Sequence, residues 1–175
     1  MMQENPPRPH RLHHNAYVSQ NLELTRQFYE DIIGLPMTTT WCETGAFGDY
    51  CHAFFELADG GALAFFQFAD ESVASENIAA RPTSRFYHIA LAASEEIQSQ
   101  IADRARNAGL EPRIIDHGYC ESLYLTDPDK MTVELTVDHP AAVAITPQLR
   151  SRAHRELARW LAGDHTINND LRALD

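Results

Sequence analysis

His14-Asn15-Ala16-Tyr17-Val18-Ser19 and His88-Ile89-Ala90-Leu91-Ala92-Ala93-Ser94 begin two stretches of this chain in the same way. Each opens with a histidine and runs on as a short, strand-like segment. Each leads into a helical stretch, Leu22 to Ile33 in the first copy and Glu95 to Ala108 in the second. Each helix stops at a glycine with a proline close behind, Gly34-Leu35-Pro36 and Gly109-Leu110-Glu111-Pro112, the expected chemistry of a helix end. Gly34 follows His14 at nearly the distance at which Gly109 follows His88. Such self-similarity marks an internal repeat, and a repeat decides the architecture before any single element does.

Beyond the helices, both copies continue as strands. In the first, Tyr50 to Leu57 leads through Asp59-Gly60-Gly61 into Ala62 to Phe68, with an earlier strand near Thr38 to Cys42. In the second, Ser122 to Thr126 leads through Asp127-Pro128-Asp129-Lys130 into Met131 to Val137, with an earlier strand near Arg113 to Ile115. The turn residues suit hairpins. The fold class is therefore α+β, built from two β-α-β-β-β modules that form a cupped mixed sheet. Residues 1–11 read as a disordered N-terminus, 12–69 as the first module and 70–84, small and polar, as a linker. Residues 85–140 read as the second module and 141–175 as a C-terminal helical extension. Within that extension Pro147 is expected to open a helix running to about Ala162. Leu149, Ala153, Leu157 and Trp160/Leu161 share one of its faces, docked on the body or on a second subunit.

The 175 residues are 44% hydrophobic and 22% charged, an ordinary globular balance that excludes disorder for the bulk of the chain. No apolar run approaches the roughly 18 residues needed to cross a bilayer, and the N-terminus lacks the apolar core of a secretory signal. The net charge is −11, and Lys130 is the single lysine. That balance argues against nucleic acid and against anionic membrane surfaces as partners. Three cysteines, Cys42, Cys51 and Cys120, form no CxxC pair and read as reduced thiols of a cytoplasmic protein.

Strand alternation sorts side chains into faces. His88, Ala90 and Ala92 share a face, as do His14, Ala16 and Val18. In the second module Ser122, Tyr124 and Thr126, and Thr132, Glu134 and Thr136, lie opposite the apolar sets Leu123/Leu125 and Met131/Val133/Leu135. One face thus gathers His88, Tyr124 and Glu134 among small and hydroxyl residues. Counting without a gap from the turn aspartates Asp59 and Asp127 matches Phe66 to Glu134, and a one-residue slip gives Phe65 or Gln67. No register puts a carboxylate there. His52 alternates with Phe54 and Glu56 and faces the same cavity in this reading. Phe54, Phe65, Phe66, Phe68 and Trp41 read either as core or as an aromatic wall for a flat substrate.

HNAYVSQNLELTRQFYEDIIGLP resembles the opening module of the vicinal oxygen chelate superfamily, and HIALAAS…AGLEP…SLYLTDPDKMTVEL resembles its second module. The superfamily includes glyoxalase I, extradiol catechol dioxygenases, fosfomycin-resistance proteins and bleomycin-binding proteins, and the resemblance covers roughly residues 12–138. It implies that His14, His88 and Glu134 converge as metal ligands, the two-histidine, one-carboxylate facial arrangement of non-haem Fe(II) oxygenases. Phe66 opposite Glu134 favours the three-ligand members, with Gln67 as a fourth ligand if a bulge shifts the register. Tyr124 is implied either as a hydrogen-bond donor to the substrate or as an interior tyrosine bonding a backbone carbonyl. His117, in the loop Asp116-His117-Gly118-Tyr119-Cys120-Glu121, reads as a proton-transfer group or as a surface histidine in a turn. The expected activity is that of an extradiol-type dioxygenase acting on a small substrate such as an aromatic diol, with Fe(II) as cofactor. The alternatives are an isomerase, lyase or transferase of the glyoxalase or fosfomycin-resistance kind using Mn(II), Ni(II) or Zn(II), and a non-catalytic small-molecule binding module. The strand ALAFFQF lacks the further catalytic histidine that extradiol enzymes carry there. A homodimer is the expected assembly.

Overall fold

The structure is a computed structural model and describes residues 8–82, 84 and 86–172. Of the N-terminus expected to be disordered, residues 1–7 lie outside the described residues, and 8–11 are exposed and outside any helix or strand. The first module comprises β1 (His14–Val18), α1 (Leu22–Arg26), which widens into a π-helical stretch Gln27–Ile33, β2 (Met37–Gly45), β3 (Gly48–Glu56) and β4 (Ala62–Phe68). After α2 (Glu71–Ala79) the second comprises β5 (His88–Ala92), α3 (Glu95–Asn107), β6 (Arg113–Asp116), β7 (Cys120–Thr126) and β8 (Thr132–Asp138), and α4 (Pro140–Leu161) follows. The two four-stranded sheets repeat one order, β1-β4-β3-β2 and β5-β8-β7-β6. In each, the histidine-headed strand pairs in parallel with the last strand of its own module.

The helices start and stop where local chemistry dictates. Asn21 accepts from the backbone N–H groups of Glu23 and Leu24, and Ser94 accepts from that of Ile97, satisfying amide donors that the first helical turn leaves open. Gly34, with φ of 94°, ends the first helical stretch in the left-handed region, where a side chain would be strained. The linker expected at 70–84 contains α2, because Asp70 caps it at Ser72 and alanines and glutamates supply helix propensity. The C-terminal helix opens at Pro140, not at Pro147, which lies inside it. Proline suits a first helical turn, and two prolines were available for that role. Val143, Leu149, Leu157, Trp160 and Leu161 are exposed on α4, and no α4 residue is buried.

The chain divides into two compact units. One holds the described residues up to Tyr87 together with Thr126–Met131, and the other holds His88–Leu125 and the described residues from Thr132 onward. In the first unit Phe28, Tyr29, Ile33, Phe55, Leu63 and Phe65 are buried, each contributing about 1.5–3 kcal/mol by removal from water. The Tyr29 ring lies 4.7 Å from that of Phe65, and its hydroxyl donates to Asp127 Oδ2 at 3.0 Å. Burial pushes the Asp127 carboxyl above its ordinary range, although the Met131 amide and Tyr29 hydroxyl favour the charged form. In the second unit Ile101, Leu123, Leu125, Val133 and Leu135 are buried. Gln98 on α3 donates to the carbonyls of Glu121 and Leu135 at 3.1 and 2.9 Å, tying the helix to β7 and β8.

The hairpin turns correct the match between modules. Leu57 N–H donates to Gly61 O and Gly60 N–H to Leu57 O; likewise Asp127 N–H donates to Met131 O and Lys130 N–H to Asp127 O. Gly60 and Lys130 both have positive φ, 78° and 69°. Leu57 therefore corresponds to Asp127 and Ala62 to Thr132. Strand pairing agrees, since His14 faces Ala62 and His88 faces Thr132. Glu134 thus corresponds to Ala64, fully buried, rather than to Phe66. The count from Asp59 misplaced the turn by two residues, which preserves the face. The β3–β4 ladder runs unbroken from Tyr50 opposite Phe68 to Glu56 opposite Ala62. No bulge brings Gln67 to that position, and its Oε1 accepts instead from Leu22 N–H at 2.7 Å.

Candidate metal centre

In the second unit, β5 and β8 are registered so that Ala90 faces Glu134 and His88 faces Thr132. His88 and Glu134 are diagonal neighbours on one sheet face, close enough for long side chains to meet. His88 Nε2 lies 2.8 Å from Glu134 Oε2. The second carboxylate oxygen, Oε1, accepts from the Tyr124 hydroxyl at 2.9 Å, and that hydroxyl lies 2.9 Å from His117 Nε2. Four of the residues expected at the site, His88, Glu134, Tyr124 and His117, therefore form one connected polar chain across β5, β8, β7 and the loop before β7. Tyr124 bonds side chains, not a backbone carbonyl, and His117 is half-buried rather than free on the surface.

The electrostatics suit a ligand role. Burial of Glu134 opposes its ionisation, yet hydrogen bonds from Ser122 and Tyr124 and the nearby His88 outweigh that burial and hold the carboxyl below its ordinary range. Glu134 is thus a buried carboxylate kept ionised. Burial, and next the bond to Glu134, push the Tyr124 phenol above its ordinary range, so it remains a neutral donor. An imidazole nitrogen and an ionised carboxylate oxygen side by side are donor types that divalent transition metals accept. The residues present therefore fit a metal.

His14 belongs to the first unit, at the head of β1. Its Nδ1 is 2.8 Å from His13 Nδ1. Along the same sheet face the rings of Trp41, His52, Phe54 and Phe66 make a continuous aromatic row. His14 lies 5.8 Å from Phe54, Trp41 5.4 Å from Phe54, and His52 stacks on Phe66 at 3.7 Å. His52 Nε2 is buried without a hydrogen-bond partner. Phe65, grouped with this wall in the sequence reading, points instead into the core beside Tyr29 and Phe55. Among the described residues no group of three or more His, Cys, Asp or Glu side chains is gathered around one point.

Sequence reasoning missed Arg113, whose guanidinium carbon stands 5.0 Å from the centre of the Tyr124 ring. The signal was available in the short turn at His117-Gly118. Closing β6 and β7 around it pairs Arg113 with Tyr124.

Comparison with known proteins bears on the family and the fold. Residues 11–135 match the model of the family described as the Glyoxalase/Bleomycin resistance protein/Dioxygenase superfamily. No curated protein sequence matches the chain. Among solved structures, the fosfomycin resistance protein FosX from Listeria monocytogenes is similar over 77% of this chain and 98% of its own, with 17% identity and a TM-score of 0.56. A variant of FosX complexed with Mn(II) and 1S,2S-dihydroxypropylphosphonic acid covers 77% of this chain and 97% of its own, at 18% identity and a TM-score of 0.58. The oxidase ChaP-H2 is similar over 74% of this chain and 94% of its own, with 19% identity and a TM-score of 0.53. No helix of the described residues is long and apolar enough to cross a membrane.

Proposed function

The chain belongs to the glyoxalase/bleomycin resistance protein/dioxygenase superfamily, and from that premise we propose that it is a metal-dependent enzyme of the extradiol dioxygenase kind. It binds a small aromatic diol through two adjacent oxygens, with Fe(II) as its metal. The observation that carries this reading is the ionised Glu134 held between His88 and Tyr124, while its counterpart in the first module is Ala64. His88 and Glu134 supply two ligands. His14, which heads the parallel pair β1–β4 as His88 heads β5–β8, is the third in this reading. Three protein ligands leave positions open for a chelating substrate.

When bound, the iron supplies Lewis acidity and redox access to dioxygen. The chain's own residues do the rest. Glu134 and His88 present a fixed pair of donors. Tyr124, neutral and donating, orients a substrate oxygen beside Glu134. His117, in contact with the Tyr124 hydroxyl through Nε2, accepts or returns a proton at that point. The aromatic row of Trp41, His52, Phe54 and Phe66 suits a flat ring. The unpaired cysteines accord with a reducing, cytoplasmic setting.

A second reading is a lyase, isomerase or transferase using Mn(II), Ni(II) or Zn(II) without oxygen chemistry. It is favoured by the absence of a histidine on β4 and by the likeness to FosX with Mn(II). Oxygen consumption separates the two. Protein purified without oxygen and loaded with Fe(II) is mixed with a panel of catechols in an oxygen electrode. Uptake of dioxygen in step with ring-opened product is the expected result. Recovery of every catechol unchanged with no oxygen uptake sinks the dioxygenase reading. Turnover of other substrates with Mn(II) would then establish the second reading, and tight binding without turnover a binding module.

A further inference from the structure

Cys42 and Cys51 stand directly opposite each other on β2 and β3. Opposed residues of an antiparallel pair hold their Cα atoms roughly 4.5–5.5 Å apart, within the roughly 4.4–6.8 Å over which disulfides close. The pairing thus meets the backbone spacing that a disulfide requires. The two thiols differ in access. Cys42 is exposed and Cys51 half-buried, while Cys120 is buried on β7. Both Cys42 and Cys51 border an open cavity of about 600 Å³ whose wall includes Glu43, Asp49, Gln67 and Phe68. That volume admits a small ligand, and the two carboxylates favour a cationic one. The next rung of the ladder pairs Trp41 with His52, whose side chains alternate to the opposite face of the sheet.

We propose that Cys42 and Cys51 are a reversible thiol–disulfide site that reacts with cationic, low-molecular-weight disulfides. Cys42, as its thiolate, attacks one sulfur of the small disulfide and forms a mixed disulfide. The first small thiolate leaves and takes up a proton. Cys51 then gives up its proton and attacks the Cys42 sulfur, and the bond between Cys42 and the remaining small thiol breaks. Two protein thiols are oxidised to one disulfide, and the small disulfide is reduced to two thiols. Exposure selects Cys42 as the entry point, because thiolate access governs the first exchange.

The test uses the full chain and cystamine, a cationic disulfide. After incubation, free thiols are alkylated and the protein is mapped without reduction. The expected result is a Cys42–Cys51 cross-link, an intact mass lower by two hydrogens, and a Cys120 that alkylates as before. Cys42→Ser and Cys51→Ser abolish the cross-link, and Cys120→Ser leaves it intact. A wild-type protein that keeps three alkylatable thiols, stops at a stable cystamine adduct, or links through Cys120 overturns the proposal. Because the wild-type map decides alone, poor folding of a variant does not shield it.

Discussion

Tyr124 touches Glu134 and His117 through a single oxygen, so its removal breaks the polar chain at its middle. Tyr124→Phe keeps the ring and its packing while deleting that oxygen. We expect bound metal to be retained and turnover to fall about 10- to 100-fold, matching the roughly 1.5–3 kcal/mol of a hydrogen bond to a charged group. Unchanged turnover in steady-state assays would remove Tyr124 from the mechanism. Much of this cluster was legible in the sequence, because alternation along β5, β7 and β8 puts His88, Tyr124 and Glu134 on one face. The partner of Glu134 in the first module was misread, because the β3–β4 turn closes at Leu57 and not at Asp59. An aspartate beside two glycines looks like the turn's anchor. Here its side chain accepts from Gly61 N–H, two residues on, and does not set the register.

At the scale of elements, the modules were readable where caps and glycines punctuate them and unreadable where two candidates competed. Pro140 and Pro147 compete to open α4, and a tertiary choice lies outside local propensity. The end of α4 carries a network of its own. Glu156 pairs with Arg155 and Arg159 and accepts from Asn168 Nδ2 at 2.9 Å. The bond from Asn168, then those from the arginines, lower the Glu156 carboxyl to about 2 from an ordinary value of 4.5. A depressed carboxyl contributes stability that is complete above the ordinary value and is lost as pH falls through the folded one. The segment after α4 should therefore stay anchored at neutral pH and loosen as pH drops from 4.5 toward 2. The side-chain amide signals of Asn168 in NMR would report it, with a transition that Glu156→Gln abolishes. A flat profile in the wild type contradicts this account.

At the scale of the whole molecule, one β-α-β-β-β pattern is used twice, with the same strand order in each sheet. The repeat was visible because both copies begin with histidine and end their helices at glycine. The second copy carries a carboxylate on its last strand, whereas the first has alanine there and an aromatic row alongside. The modules are thus alike in backbone and divergent in chemistry. Which residues gather into a ligand set was less legible, since that depends on packing beyond any one strand. His14, His88 and Glu134 are proposed to hold a divalent metal, and elemental analysis of protein purified without oxygen is the decisive measurement. Stoichiometric iron in the wild type, lost in His14→Ala, His88→Ala and Glu134→Ala variants that remain folded, is the result predicted. A wild-type protein that takes up no iron, manganese, nickel or zinc on reconstitution, or variants that keep the wild-type metal content, would contradict it.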